Sequence, residues 1–491
     1  MGLRRKQVMK QEILRFENVT RQVDGAVYLD NFNFYMTKGE IVGMLSVNDR
    51  GKKELLNLLM KRLPIESGRI YWDGGLANSW LDSEYPNNKV YVIDEHSSLI
   101  EDLSIADNMF VMRSGFKKYV IEERVLEEQA KRVLESLSMQ VDLNQRVSRL
   151  TVLERIMIEM AKAYLMGCSL LIVMYPEQLI GQAEFERFHQ LLRSIKKKGI
   201  STLYFCYHHW IMFQICDRIA LFSRGRIKKL FDHRDFTEKA IAPYIYYFKD
   251  ARIARAGETP SYGLEFRELS GENIGRLNQG MVPGECITFL DSEGRMGREL
   301  LKILTKEKTD YEGRVFCKGI DLKKGGRSCL DSGMIVLDNN PTETFLFSEM
   351  SYLENLCFLL DRKLRKRILK PSYLSSVRNE YARRVGDVID AGDIRSLSLK
   401  EKYGLVYNKI RLFHPEILVI LKPFAYGDMH CRNYILEQIR ELKEMGLCIL
   451  LVTNYITDCL YISDHICILK DGRDVVSLEP EEYGIISRIF S

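Results

Sequence analysis

Short unbroken apolar runs alternate along this chain with longer stretches in which apolar residues recur every three or four positions. Ile41 to Leu45, Leu170 to Met174 and Ile449 to Val452 have the length of buried strands. The stretches ELLNLLMKRL and ELLKILTKE carry helical spacing. Buried strands alternating with amphipathic helices predict an α/β fold with a largely parallel sheet. No run approaches the ~20 apolar residues of a membrane-crossing helix. The chain is therefore expected to be soluble, with any work at a membrane done through a partner.

The pattern occurs twice. Gly39-Glu40 and Gly284-Glu285 each open a strand-like run and lie 245 residues apart. Leu150-Thr151 and Leu397-Ser398 each lead into a helical pattern, at an offset of 247. Pro176 and Pro423 each follow a buried run, and Asp217-Arg218-Ile219 and Asp464-His465-Ile466 each precede a short strand, again 247 residues apart. Landmarks in one order at a near-constant offset indicate duplication of a unit of about half the chain. The domains expected are residues 1–240 and 263–491, joined by a linker at 241–262 whose most polar part contains Glu258-Thr-Pro-Ser.

Composition adds limits. The chain's 491 residues fit two to four domains at roughly 100–200 residues each. Its 72 basic and 67 acidic residues leave a formal charge of +5, too balanced to argue for nucleic acid. The 11 cysteines stand singly, with no CxxC pair and no zinc spacing, so reduced core or surface thiols are expected. The N-terminus is basic but has neither the apolar stretch of a signal peptide nor, with Lys6, a myristoylation motif.

The ordered fragments resemble a known family. ILRFENVT, GEIVGML, LPIESGRIYWDG, LSIADNMF, EMAKAYL and CDRIALFSRGRI in the first half follow the order of the ATP-binding-cassette (ABC) ATPase domain. GECITFL, MSYLENL, RSLSLKEK, HPEILVILKPFAYGD and SDHICILKDGR do so in the second. The tandem resembles the double ATP-binding subunit of ribose/galactose-type bacterial sugar importers, and the resemblance covers nearly the whole chain. It implies two tandem nucleotide-binding domains, each a largely parallel P-loop-type sheet flanked by helices, with a helical subdomain.

Such a domain needs a Gly-rich loop whose backbone N–H groups face phosphate, a Lys for the β/γ-phosphates and a Ser/Thr hydroxyl for Mg²⁺. It also needs, from the resemblance, a strand-end Asp for the metal, a Glu that polarises water, a switch His, and an LSGG-type signature from the opposing domain. Here the loop aligns with Ser46-Val47-Asn48-Asp49-Arg50-Gly51-Lys52-Lys53. Gly51 and Lys52 remain, Lys53 replaces the hydroxyl, and Asp49 puts a carboxylate where phosphate belongs. At ~4 Å two like charges repel by ~4 kcal/mol at an effective dielectric of about 20, although Arg50 and the two lysines offset this charge. The second loop, Asp291 to Arg298, admits two registers, with Gly297 on the Lys position or one residue earlier. Neither supplies a Ser/Thr.

The strand ends read Met174-Tyr175 and Leu421-Lys422 in place of Asp-Glu. The switch position holds Tyr207, beside His208, and Asn454 in the second half; the glutamine loop holds Glu95. The signatures read Leu150-Thr151-Val152-Leu153 and Leu397-Ser398-Leu399-Lys400. The resemblance thus implies weak ATP binding at one composite site, with Ser46, Asn48, Arg50, Gly51, Lys52, Lys53 and Ser398 as candidate ligands. No catalytic residue and no Mg²⁺ are expected. Against these stand plainer roles: Lys52 as a solvated lysine at a helix start, Ser398 as a helix N-cap, Asp428 as a turn residue, and the basic run at 363–370 as a solvated helical face.

Three functions are open. The first is a degenerate, non-hydrolysing or weakly active subunit docking on membrane permease subunits of a sugar-type importer as scaffold or regulator. It would be cytoplasmic, peripheral at the inner face of the membrane through its partners, and able to pair as a homodimer. The second is an active ATPase energising carbohydrate import with substituted site residues. The third is a soluble anion- or nucleotide-sensing adaptor for a cytosolic partner.

Overall fold

A computed structural model describes residues 11–61, 63–77, 89–110, 123–137, 139–181, 184–244, 262–291, 294–324, 328–364, 370–456, 458–470, 474–478, 480 and 482. They fall into two compact units, divided within the stretch expected to be the linker, most of which lies outside the described residues.

In the first unit a six-stranded sheet runs in the order Arg226–Asp232, Arg218–Ser223, Ile41–Asn48, Ser201–Cys206, Leu170–Met174, Val90–Ile93. All neighbours are parallel except the first pair. Every residue of Ser201–Cys206 is buried, as expected of a strand covered on both faces, which is why these segments read as unbroken apolar runs. A four-stranded antiparallel sheet orders Ala26–Thr37, Glu12–Val23, Ser67–Trp72 and Gly75–Leu76. Its alternation is clear from Phe32 to Met36, where Phe32, Phe34 and Met36 are buried while Asn33 and Tyr35 are exposed. Helix Lys52–Met60 packs Leu55, Leu58 and Leu59 into one core with both sheets.

The second unit repeats this plan. Its six strands, Asp474–Leu478, His465–Lys470, Cys286–Asp291, Cys448–Thr453, Ile417–Leu421 and Met334–Leu337, stand in the same spatial order. Its four-stranded sheet orders Leu277–Met281, Leu264–Ser270, Glu312–Cys317 and Ile320–Asp321. Parallel strands bring equivalent ends to one edge. In the first unit these ends are Asn48, Met174 and Cys206; in the second they are Asp291, Leu421 and Thr453. The loop, strand-end and switch positions aligned from sequence sit at or directly after these ends.

All 11 cysteines carry free thiols and ten are buried. Burial pushes thiols such as Cys168 and Cys317 up to about 11, which suits inert core residues. No helix among the described residues is long and apolar enough to cross a membrane.

Candidate functional site

In the first unit the strand Ile41–Asn48 ends in a turn that starts helix Lys52–Met60. Gly51 is the N-cap, in the left-handed conformation at φ 90°. A Cβ on it would lie 2.1 Å from the Tyr28 carbonyl oxygen and 3.0 Å from the Gly225 Cα. Gly51 therefore answers a packing demand between loop and antiparallel sheet, whatever the loop binds. The Arg50 guanidinium leans over the Tyr28 ring and donates to the Val27 carbonyl at 3.2 Å. The Asn48 Oδ1 accepts from the Arg50 N–H at 3.0 Å. Lys53, at the position of the metal-binding hydroxyl, is exposed.

Lys52 is only partly exposed, and its ammonium is engaged by the protein. Its ammonium donates to Asp49 Oδ2 at 2.5 Å and to the Tyr175 hydroxyl oxygen at 2.6 Å. The Ser46 hydroxyl donates to Asp49 Oδ1, and the Tyr207 hydroxyl lies 3.4 Å from Oδ2. Tyr175 and Tyr207 stack, with centroids 4.2 Å apart and planes 9° off parallel. Burial, followed by the Asp49 charge, pushes the Tyr175 hydroxyl well above its ordinary range, so it stays neutral. A carboxylate, an ammonium and two phenols thus form one closed cluster at the strand ends. It was legible in part, because an acid beside a retained loop lysine is a sequence signal. The contribution of Tyr175, 123 residues from Lys52, was not.

The second loop settles its register. Leu300, Ile303 and Leu304 fill the core as Leu55, Leu58 and Leu59 do in the first unit. That offset of 245 residues puts Gly297 on the Lys52 position and Arg298 on that of Lys53. A Cβ on Gly297 would meet Leu421 Cδ1 and Val452 Cγ1 at 2.9 Å each, so a side chain there would force these two neighbours to shift. Asp291 occupies the anion position: Oδ1 accepts from the Gly294 N–H at 3.0 Å and Oδ2 from the Gly297 N–H at 2.7 Å. Arg298 Nε turns back to the Gly294 carbonyl at 3.2 Å. Ser292 and Glu293 of this loop lie outside the described residues.

The signature positions are also satisfied internally. Thr151 caps helix Val152–Leu165 and Ser398 caps Leu399–Phe413, each in a capping box with Glu154 or Glu401. The Ser398 hydroxyl donates to Glu401 Oε2 at 2.6 Å and accepts from the Glu401 N–H at 3.3 Å. Asp428 likewise caps Met429–Glu444, accepting from the Cys431 N–H at 2.8 Å. Residues 365–369 of the basic run lie outside the described residues.

At the strand ends, Tyr175 and Lys422 both hold left-handed backbone, φ 49° and 46°. Each donates its N–H to the equivalent neighbouring strand, at Phe205 and Val452. The backbone of the site is kept in both units, while the side chains differ from Asp-Glu. Mg²⁺ takes oxygen donors, mainly carboxylates, phosphates and water. Lys53 and Arg298 present cations at the hydroxyl positions, and Met174 and Leu421 stand at the strand-end positions of the metal carboxylate, so these residues do not fit the ion. His209, which has no acid near it in sequence, meets Glu238 at 2.7 Å.

The paired sheets, the strand-to-helix loops and their repetition define the class: two tandem ABC ATPase-like domains. Residues 29–173 match the ABC transporter family. The chain is 24% identical over 480 residues to a ribose import ATP-binding protein of Clostridium perfringens, covering 96% of each chain. It is 23% identical over 484 residues to a xylose import ATP-binding protein of Thermoanaerobacter pseudethanolicus, covering 95% of each. Among solved structures, one of an RNase-L inhibitor shares the fold over 96% of this chain and 93% of its own, with a TM-score of 0.59 at 16% identity.

Proposed function

We propose that this chain is a non-hydrolysing or weakly active ATP-binding-type subunit of a sugar-type ABC importer, acting as scaffold or regulator on membrane permease subunits. The observation that carries the reading is the pair of strand ends. Both keep the backbone of the catalytic edge, yet both place Tyr175 or Lys422 where water activation needs a carboxylate. Hydrolysis at such an edge requires a positioned metal and a positioned nucleophile, and at the aligned metal and water positions the described residues are Lys53, Met174 and Tyr175 in the first unit and Arg298, Leu421 and Lys422 in the second. The relatives' names, import ATP-binding proteins of ribose and xylose, support permease partners. So do exposed apolar side chains at matching places, Ile100 in the first unit and Phe347 in the second, 247 residues apart. On this reading residues 241–262 link the two domains, ATP binding is weak and confined to the loop around Lys52, and the protein sits at the inner face of the membrane through its partners. Co-purification of the tagged full chain with membrane permease subunits from its own cells tests the docking role. Stoichiometric recovery is expected, and recovery of no permease from detergent extracts counts against it.

A further inference from the structure

The donors around the first loop converge on one point, as they would on a bound phosphate, but the acceptor there is the chain's own carboxylate. Ser46 from the strand, Lys52 from the helix and Tyr207 from beyond the neighbouring strand all face Asp49. Lys52 gives a further hydrogen bond to Tyr175, whose ring is stacked on Tyr207. Tyr207 is itself anchored, its N–H donating to the buried Glu177 carboxylate at 2.9 Å. The second unit does the same with different parts, spending two backbone N–H groups on Asp291. Two loops of unlike sequence have thus each closed an anion position with an internal acid.

We propose that Asp49 is a built-in stand-in for a phosphate group: it competes with phosphoanions for the loop and keeps their binding weak in the native chain, and loss of its charge frees Lys52 and the helix start for a pyrophosphate-type ligand. This rests on the non-hydrolysing reading above and names what weakens the site. A doubly charged phosphate entering beside Asp49 meets a like charge and finds Lys52 already neutralised. With Asp49 gone, the Lys52 ammonium and the N–H groups of the helix start have an anion to gain.

The test is calorimetric titration of the full chain with inorganic pyrophosphate in the presence of a chelator. It compares the native protein with Asp49→Asn, Asp49→Ala and the double variant Asp49→Ala/Lys52→Met. Asp49→Asn keeps the shape and neutral hydrogen bonds, so it guards against misfolding of the alanine variant; thermal unfolding checks each protein. At least a tenfold gain in affinity is expected for both single variants, and a return to the native level in the double variant. Equal affinity of native and Asp49→Asn proteins overturns the proposal, as does a gain that survives loss of Lys52. Metal-free pyrophosphate involves no ATP turnover. Hydrolysis of ATP by the native chain would therefore sink the non-hydrolysing reading and leave this comparison standing.

Discussion

If Lys52 is held by the protein's own acid, its removal and that of Asp49 must not be independent. The perturbations are Lys52→Met, Asp49→Asn and the pair. The side chains are 18% and 24% exposed with nitrogen and oxygen 2.5 Å apart, which places them between surface ion pairs, worth about 0–1 kcal/mol, and fully buried ones, where removing one partner costs about 3–5 kcal/mol. A coupling energy of about 1–2 kcal/mol follows. Lys52→Met also removes the hydrogen bond to Tyr175, whose hydroxyl is enclosed, adding about 1.5 kcal/mol. The single variant should therefore lose about 3 kcal/mol. At about 2–4 °C per kcal/mol for a unit of this size, the melting transition of the first unit should fall by about 6–12 °C. The assay is differential scanning calorimetry of the full chain, resolving the two units' transitions, with urea unfolding of the four proteins to close the cycle. Additivity within about 0.5 kcal/mol would mean that the two groups do not interact, and the closed cluster would have to be abandoned.

Two further outcomes follow from the first unit. Gly51→Ala should destabilise it by about 2–4 kcal/mol, from left-handed strain plus the clash with the Tyr28 carbonyl; urea unfolding without nucleotide measures this, and a neutral substitution would return Gly51 to a purely ligand-binding role. His189 is buried against Tyr204, and burial, aided by Arg193, pushes it down to about 4. The folded state thus binds its proton only near pH 4 while the unfolded state binds near 6.5, so stability is complete above 6.5 and lost as pH falls. About 2 kcal/mol should disappear between pH 7.5 and 5, and a His189→Asn variant should show a flatter dependence. An unchanged slope would refute the assignment.

The duplication, the parallel sheets and the lost strand-end acids were legible because each depends on local pattern: apolar run length, helical spacing and the identity of aligned residues. The state of Lys52 was not, since its Tyr175 partner arrives from another strand end and only the fold brings them together. The second loop's register stayed open in sequence because Gly297 and Arg298 suit either alignment. The core decides it, since Leu300, Ile303 and Leu304 must fill the space that Leu55, Leu58 and Leu59 fill in the first unit. Gly51 looked like a remnant of phosphate binding, while its contact with the Tyr28 carbonyl gives a packing reason to keep it. Ser398 could be read either way, and its hydroxyl is engaged with Glu401.

The most direct measurement is phosphate release from ATP and Mg²⁺ by the purified full chain, beside Lys52→Met and with the permease present in detergent or lipid. The account predicts a rate indistinguishable from that of the variant, with or without permease. Turnover that depends on Lys52 and on Mg²⁺ would contradict it.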